Sequence, residues 1–196
     1  MMLAKIISTL ANPIFILIAL PYFLIYKQTH NHTQAWNWEL YTLIYVIIFC
    51  AYILFGVKKK IFSDIDISNK KQRPLIYFAG GLLAIIYLIN LYILKGPAIL
   101  SITTLGIILG IIVASLINIK IKASIHVASF AALTTALSVI YGGYFLFALL
   151  LIPLISWARV KIKRHTAKEV ITGAILGILL SLIMYAITVK IFAYDL

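Results

Sequence analysis

The sequence predicts an all-α fold, a polytopic membrane helix bundle of about seven transmembrane helices, with six as the alternative. Of the 196 residues, 64% are apolar and only 11% are charged, and the mean hydropathy of +1.10 is far above that of water-soluble domains. At about 20 apolar residues for each crossing of a bilayer of roughly 30 Å, this length allows six or seven spans joined by short loops. We therefore expect a single transmembrane domain over residues 1–196.

Seven apolar stretches supply these spans. The first contains Pro13 and Pro21, and each proline is expected to kink it. The apolar run that ends at Trp157 is too long for one crossing, and Gly142-Gly143 is its natural break. Residues 29–38 are predicted to form a polar connecting loop. The predicted spans are residues 3–26, 39–57, 75–94, 98–119, 124–141, 144–157 and 170–192.

Two of the spans contain the pattern Gly-x-x-x-Gly, at Gly106 and Gly110 and at Gly173 and Gly177. Glycines at this spacing have no side chains on one helix face and let another helix approach closely. Packing within the chain is the simpler interpretation, and a homodimer interface is the alternative.

The charged residues are few and unevenly distributed. The chain has 17 Lys and Arg residues against 5 Asp and Glu, which gives a formal net charge of +12 at pH 7. With seven spans, every basic residue except Lys27, Lys95 and Lys190 falls on the N-terminal side of the membrane. Because cytoplasmic loops are enriched in Lys and Arg, we expect the N-terminus and these loops in the cytoplasm of a cell membrane and the C-terminus outside.

A surface of this charge favours anionic partners. Nucleic acid is one such class, but a bilayer supplies phosphate headgroups at a higher local concentration. We therefore expect a lipid phosphate as the partner and no nucleic acid.

The most informative polar residues lie in the last loop on the basic face. His165 and Glu169 are four residues apart, so in a helix that begins near Thr166 they share one face. The carboxylate can then accept the imidazole N–H and fix the tautomer. A histidine held in this way can act as a nucleophile, while the guanidinium groups of Arg159 and Arg73 bind phosphate oxygens.

A second histidine reaches the same face from another helix. His126 follows Ser124 at a predicted helix start, where it is free to protonate a leaving alkoxide. Two histidines, a carboxylate and several cations make a phosphoryl-transfer site that needs no metal and no other cofactor.

The last of these segments also carries a family resemblance. Arg159-x5-His165-x3-Glu169, followed by Val-x2-Gly173-x2-Leu-Gly177, is similar to the third signature of the type 2 phosphatidic acid phosphatase family. Glutamate stands where the family usually has aspartate, and this longer carboxylate can do the same work.

Two further segments resemble the other signatures of that family, so that the motifs lie within residues 63–177. Ser124-Ile-His126 resembles Pro-Ser-Gly-His without its proline and glycine. Arg73-Pro resembles the end of Lys-x6-Arg-Pro, although Asp66 occupies the lysine position. Either Lys70 or Lys71 then replaces that lysine, or the first signature is degraded.

The resemblance implies a membrane phosphatase that hydrolyses a lipid phosphate or prenyl diphosphate through a phosphohistidine. His165 would be the nucleophile, Glu169 would orient it, and His126 would protonate the leaving group. The phosphate would be bound by Arg73, Arg159, Ser124, Lys70 and Lys71.

Two other functions compete with this one. Asp64-Ile-Asp66 loosely resembles the first aspartate motif of intramembrane prenyltransferases, which hold a diphosphate through Mg²⁺. Only five acidic residues exist, and Glu39 and Asp195 are expected on the opposite face, so no second carboxylate cluster is available. A protein that merely binds anionic lipid explains the lysines, but it does not explain the spacing of His165 and Glu169.

Overall fold

In the computed structural model, which describes residues 1–192, every regular element is helical. This confirms the all-α prediction. Two short 3₁₀ segments, Lys70–Gln72 and Gly143–Leu150, precede α4 and α7. The α-helices are α1 (Met2–Leu10), α2 (Pro13–Thr29), α3 (His32–Lys58), α4 (Arg73–Ile93), α5 (Ala98–Lys120), α6 (Ile125–Tyr141), α7 (Leu151–Lys161) and α8 (Ala167–Phe192).

The lengths and composition of these helices are those of a polytopic membrane protein. Among the described residues, five helical segments are long and apolar enough to cross a bilayer, and α1 with α2 makes a sixth if they count as one broken span. Helix α6 has 17 residues, at the lower limit of about 17 for a spanning helix. The predicted spans all correspond to helical segments, and Asp195 lies outside the described residues.

The predicted break at Gly142-Gly143 is confirmed, and so is a kink at Pro13, where α1 and α2 are bent by 41°. Helix α2 begins at Pro13, a position where the missing proline N–H needs no helical acceptor. Helix α6 ends at Tyr141, and the next two residues have φ of +59° and +51°. Glycine adopts this left-handed region without steric cost, so the pair ends the helix. Helix α2 continues through Pro21.

The interpretation of residues 29–38 as a loop is wrong, because α3 begins at His32. Asn31 caps this helix, and its side chain accepts a hydrogen bond from the Gln34 N–H at 3.0 Å. Such a cap satisfies one of the N–H groups that a helix start leaves open. The polar residues therefore form the first turns of a helix that extends beyond the apolar stretch.

The chain forms two compact units. The first consists of Met1–Ile16 and the chain from Ile119 onward, and the second consists of Leu17–Asn118. The core of the first unit contains Ala11, Val127, Ala131, Ile152, Ile155 and Val170. The second unit has one core around Ile25, Tyr87 and Leu91 and another around Ile53, Phe62 and Ile67.

Helices α6 and α8 of the first unit pack closely at glycines. A Cβ atom on Gly173 would meet the backbone of Ser124, and one on Gly177 would meet the carbonyl oxygen of Ala128. The second Gly-x-x-x-Gly pattern thus serves packing within the chain, as the simpler interpretation predicts. The homodimer stays a prediction.

Candidate active site

His165 and Glu169 form a direct side-chain pair at the start of α8. The imidazole Nδ1 lies 2.8 Å from the carboxylate Oε2, with 2% of the histidine side chain exposed and 20% of the glutamate side chain. Because a carboxylate only accepts hydrogen bonds, this contact assigns the proton to Nδ1, and in the neutral ring Nε2 is then the unprotonated nitrogen.

The chain turn between α7 and α8 brings His165 next to Arg159. The backbone N–H groups of Arg164 and His165 both donate to the Arg159 carbonyl, at 3.1 and 3.4 Å. Lys163 lies in the left-handed region with φ of +59°, which lets the chain reverse within a few residues. The Arg159 side chain is buried at the end of α7.

Glu169 has a second, structural task. Its Oε2 also accepts the Thr166 backbone N–H at 3.2 Å, and its own N–H donates to Thr166 Oγ1 at 3.4 Å. This reciprocal arrangement is a capping box, which stabilises the first turn of a helix. The carboxylate that meets His165 is therefore held in place by the helix start.

The start of α6 is tied to the same carboxylate-bearing turn. The Ser124 N–H donates to the Glu169 carbonyl at 3.1 Å, and Ser124 is the N-cap of α6, as the sequence predicts. Its hydroxyl is fully buried and, within the described residues, makes no hydrogen bond. Since buried hydroxyls are nearly always satisfied, this oxygen fits a ligand at the helix N-terminus, where anions are favoured.

His126 lies in the first turn of α6, two residues after Ser124, and is buried.

The Arg159 side chain is held by the first helix of the chain, because its Nη1 donates to the hydroxyl of Ser8 on α1 at 2.8 Å. Lys122 Nζ donates to the Arg164 carbonyl at 3.1 Å. Exposed cations lie at the end of α5 and around the turn between α7 and α8, namely Lys120, Lys161, Lys163, Arg164 and Lys168.

The remaining predicted phosphate ligands belong to the second unit. Arg73 is buried at the first position of α4, where its Nε donates to the Ile67 carbonyl at 3.3 Å. Lys70 and Lys71 lie in the 3₁₀ turn before it, and the Lys70 carbonyl accepts from Asn118 Nδ2 at 3.4 Å. That these three cations meet the histidines of the first unit stays a prediction.

Asp64 organises the loop that precedes Arg73. Its carboxylate accepts the N–H groups of Asp66 and Ser68, at 3.0 and 3.3 Å, and the hydroxyls of Ser63 and Ser68, at 3.0 and 3.1 Å. This is the local hydrogen bonding by which aspartate shapes turns. Within residues 1–192, no group of three or more His, Cys, Asp or Glu side chains is placed to hold a metal ion.

Two of these contacts were missed by the sequence reasoning. Thr166-x-x-Glu169 is a readable capping-box pattern, and it predicts the start of α8 at Ala167. The contact between Ser8 and Arg159 has no local signal, because 151 residues separate the two positions.

In the first unit, hydrogen bonds link four of the predicted site residues, namely Ser124, Arg159, His165 and Glu169. The fifth, His126, lies in the first turn of the helix that Ser124 caps. The roles that the signature resemblance implies for these residues, and the family itself, stay predictions. A comparison of the chain with family models, with curated proteins and with solved structures finds no match.

Proposed function

We propose that the protein is a membrane-embedded phosphatase that hydrolyses a lipid phosphate or prenyl diphosphate through a phosphohistidine intermediate. The observation that carries the proposal is the contact of 2.8 Å between His165 Nδ1 and Glu169 Oε2. A buried imidazole oriented by a carboxylate presents its other nitrogen as a nucleophile, which is the arrangement that covalent catalysis by histidine requires.

In the first step, His165 Nε2 attacks the terminal phosphorus, and the bond between that phosphorus and the oxygen of the leaving group breaks. Glu169 stabilises the positive charge that develops on the imidazole ring, because the proton on Nδ1 points at its carboxylate. His126 donates a proton to the leaving oxygen, so a lipid phosphate monoester departs as an alcohol, whereas a prenyl diphosphate departs as the prenyl monophosphate. In the second step, water attacks the phosphohistidine and gives a proton to His126, and inorganic phosphate leaves.

The phosphate oxygens are bound by cations and by the start of α6. Arg159 supplies a planar guanidinium, which pairs with two phosphate oxygens at once. The buried Ser124 hydroxyl adds a donor at a helix N-terminus, where the helix dipole favours an anion. Arg73, Lys70 and Lys71 complete the set in this proposal.

The substrate class and the orientation follow from the membrane setting. A lipid keeps its tail in the bilayer and its phosphate at the headgroup level, where the ends of α6, α7 and α8 carry the polar residues. The excess of basic residues on one side favours a cytoplasmic N-terminus and cytoplasmic motif loops in the cell membrane.

A phosphate-release assay on the purified protein tests the function and the need for a metal. We expect release from at least one of phosphatidate, phosphatidylglycerol phosphate or a prenyl diphosphate. We also expect EDTA to leave the rate unchanged, because protein cations already neutralise the phosphate.

In the same assay, Asp66→Asn should change the rate of phosphate release less than about threefold. Arg73→Ala should raise KM about tenfold or more, since a hydrogen bond to a charged group is worth about 1.5–3 kcal/mol.

The competing functions give different results in that assay. A Mg²⁺-dependent prenyltransferase would release diphosphate rather than phosphate from a prenyl diphosphate, and it would lose that turnover in EDTA and on Asp66→Asn. A protein that only binds anionic lipid would release no phosphate from any of the three lipids. Either result would make us abandon the histidine mechanism.

The role of His126 as the general acid predicts a dependence on the leaving group. We expect His126→Ala to slow hydrolysis of a phosphate monoester by about 10²–10⁴-fold. A diphosphate should be much less affected, because its leaving phosphate needs little protonation. Equal losses on phosphatidate and on a prenyl diphosphate, measured side by side, would assign His126 another role.

A further inference from the structure

The first helix of the chain contributes a side chain to the phosphate-binding arginine. Arg159 Nη1 donates to Ser8 Oγ at 2.8 Å, and both residues are buried. Hydrogen bonds to charged groups are the stronger ones in proteins. This contact is therefore well placed to fix the guanidinium.

The position of Ser8 depends on the packing of α1. Ala4 and Ser8 are the buried residues of this helix, and they are four apart, so they share one face. Ala11, directly after the helix, belongs to the same buried core as Ile155 of α7. Helix α1 thus packs on the helix that carries Arg159 and presents the serine hydroxyl to it.

We propose that Ser8 is a positioning residue for substrate binding, which rests on the proposed function. An arginine side chain has many rotamers, and a fork that binds two phosphate oxygens must hold one plane. The Ser8 hydroxyl anchors Nη1 and so orients that plane. Ser8 itself does not touch the phosphate. Helix α1 is then part of the site rather than only a membrane anchor.

The test compares two hydroxyl deletions on the same helix. In Ser8→Ala, KM for the lipid phosphate should rise about tenfold, as expected for a lost hydrogen bond to a charged group, while kcat changes less than about twofold. Inhibition by orthovanadate, a phosphate analogue, should weaken by a similar factor. Thr9→Ala, which deletes a neighbouring exposed hydroxyl, should leave both values unchanged. Ser8→Thr, which keeps the hydroxyl, should restore KM.

The outcomes separate this inference from the proposed function. A wild-type protein that neither releases phosphate nor binds vanadate overturns both. An active wild type with an unchanged KM in Ser8→Ala overturns the inference alone, and so does an equal fall of kcat and kcat/KM. If Ser8→Ala does not fold, Ser8→Cys, which fills the space of the hydroxyl with a sulfur that accepts hydrogen bonds only weakly, should show a similar rise in KM. Loss of folding in both variants would assign Ser8 to stability and overturn the inference.

Discussion

His165→Ala is expected to abolish phosphate release, with a loss on the order of 10⁴-fold or more in kcat, as for other enzymes that lose a nucleophile. The imidazole forms the covalent bond to phosphorus in the proposed mechanism, and alanine has no atom that replaces it. The thermal midpoint of the purified protein in detergent should change little. The side chain lies at a helix start, where it contacts the Glu169 carboxylate, which is also held by the Thr166 backbone N–H.

Glu169→Gln is the matched control, because it separates the two tasks of that carboxylate. Glutamine also fits a capping box, so the start of α8 should survive. It carries no charge to stabilise the imidazole ring in the transition state, so kcat should fall by about 10²-fold or more. Phosphate release by His165→Ala at more than a few per cent of the wild-type rate would exclude the phosphohistidine. If His165→Ala shows no cooperative thermal transition, the variant is unfolded, and Glu169→Gln becomes the deciding variant.

The parts of the site that the sequence could predict are those encoded over short distances. His165 and Glu169 meet because four residues separate them on one helix, and the spacing alone gives that geometry. The start of α6 at Ser124 and the break at Gly142 are likewise local signals. The apolar spans follow from composition, which the bilayer makes decisive.

The other features depend on contacts that local patterns do not encode. Ser8 meets Arg159 across 151 residues, and nothing near either residue indicates the other. The early start of α3 was missed because hydropathy outweighed a capping signal, Asn31-x-x-Gln34. Asp64 shapes a turn in which four donors reach one carboxylate. From the sequence alone, an aspartate motif of this kind is equally typical of a metal ligand and of a turn.

Gly177→Ala is expected to destabilise the packing of α6 on α8 in the first unit. The structure supports this expectation more directly than the Gly-x-x-x-Gly pattern does. The added Cβ would overlap the Ala128 carbonyl oxygen, and it would also approach the Ala131 Cβ. Backbone atoms cannot rotate away as side chains do, so α6 and α8 must separate. Overpacking of this kind costs about 1–3 kcal/mol or more, so we expect a clear fall in the thermal midpoint in detergent.

Gly81→Ala in α4 is the matched control for this substitution. There the nearest atom to an added Cβ would be Ile111 Cγ2 at 3.8 Å, an ordinary van der Waals distance. Both variants replace glycine in a helix by a better helix former, so a difference between them isolates the packing. Separation of α6 from α8 would also break the contact of Ser124 with Glu169, and phosphate release should fall with stability in Gly177→Ala but not in Gly81→Ala. Equal thermal midpoints for the two variants would contradict the close approach of α6 to α8 and, with it, the geometry that joins Ser124 at the start of α6 to Glu169 at the start of α8.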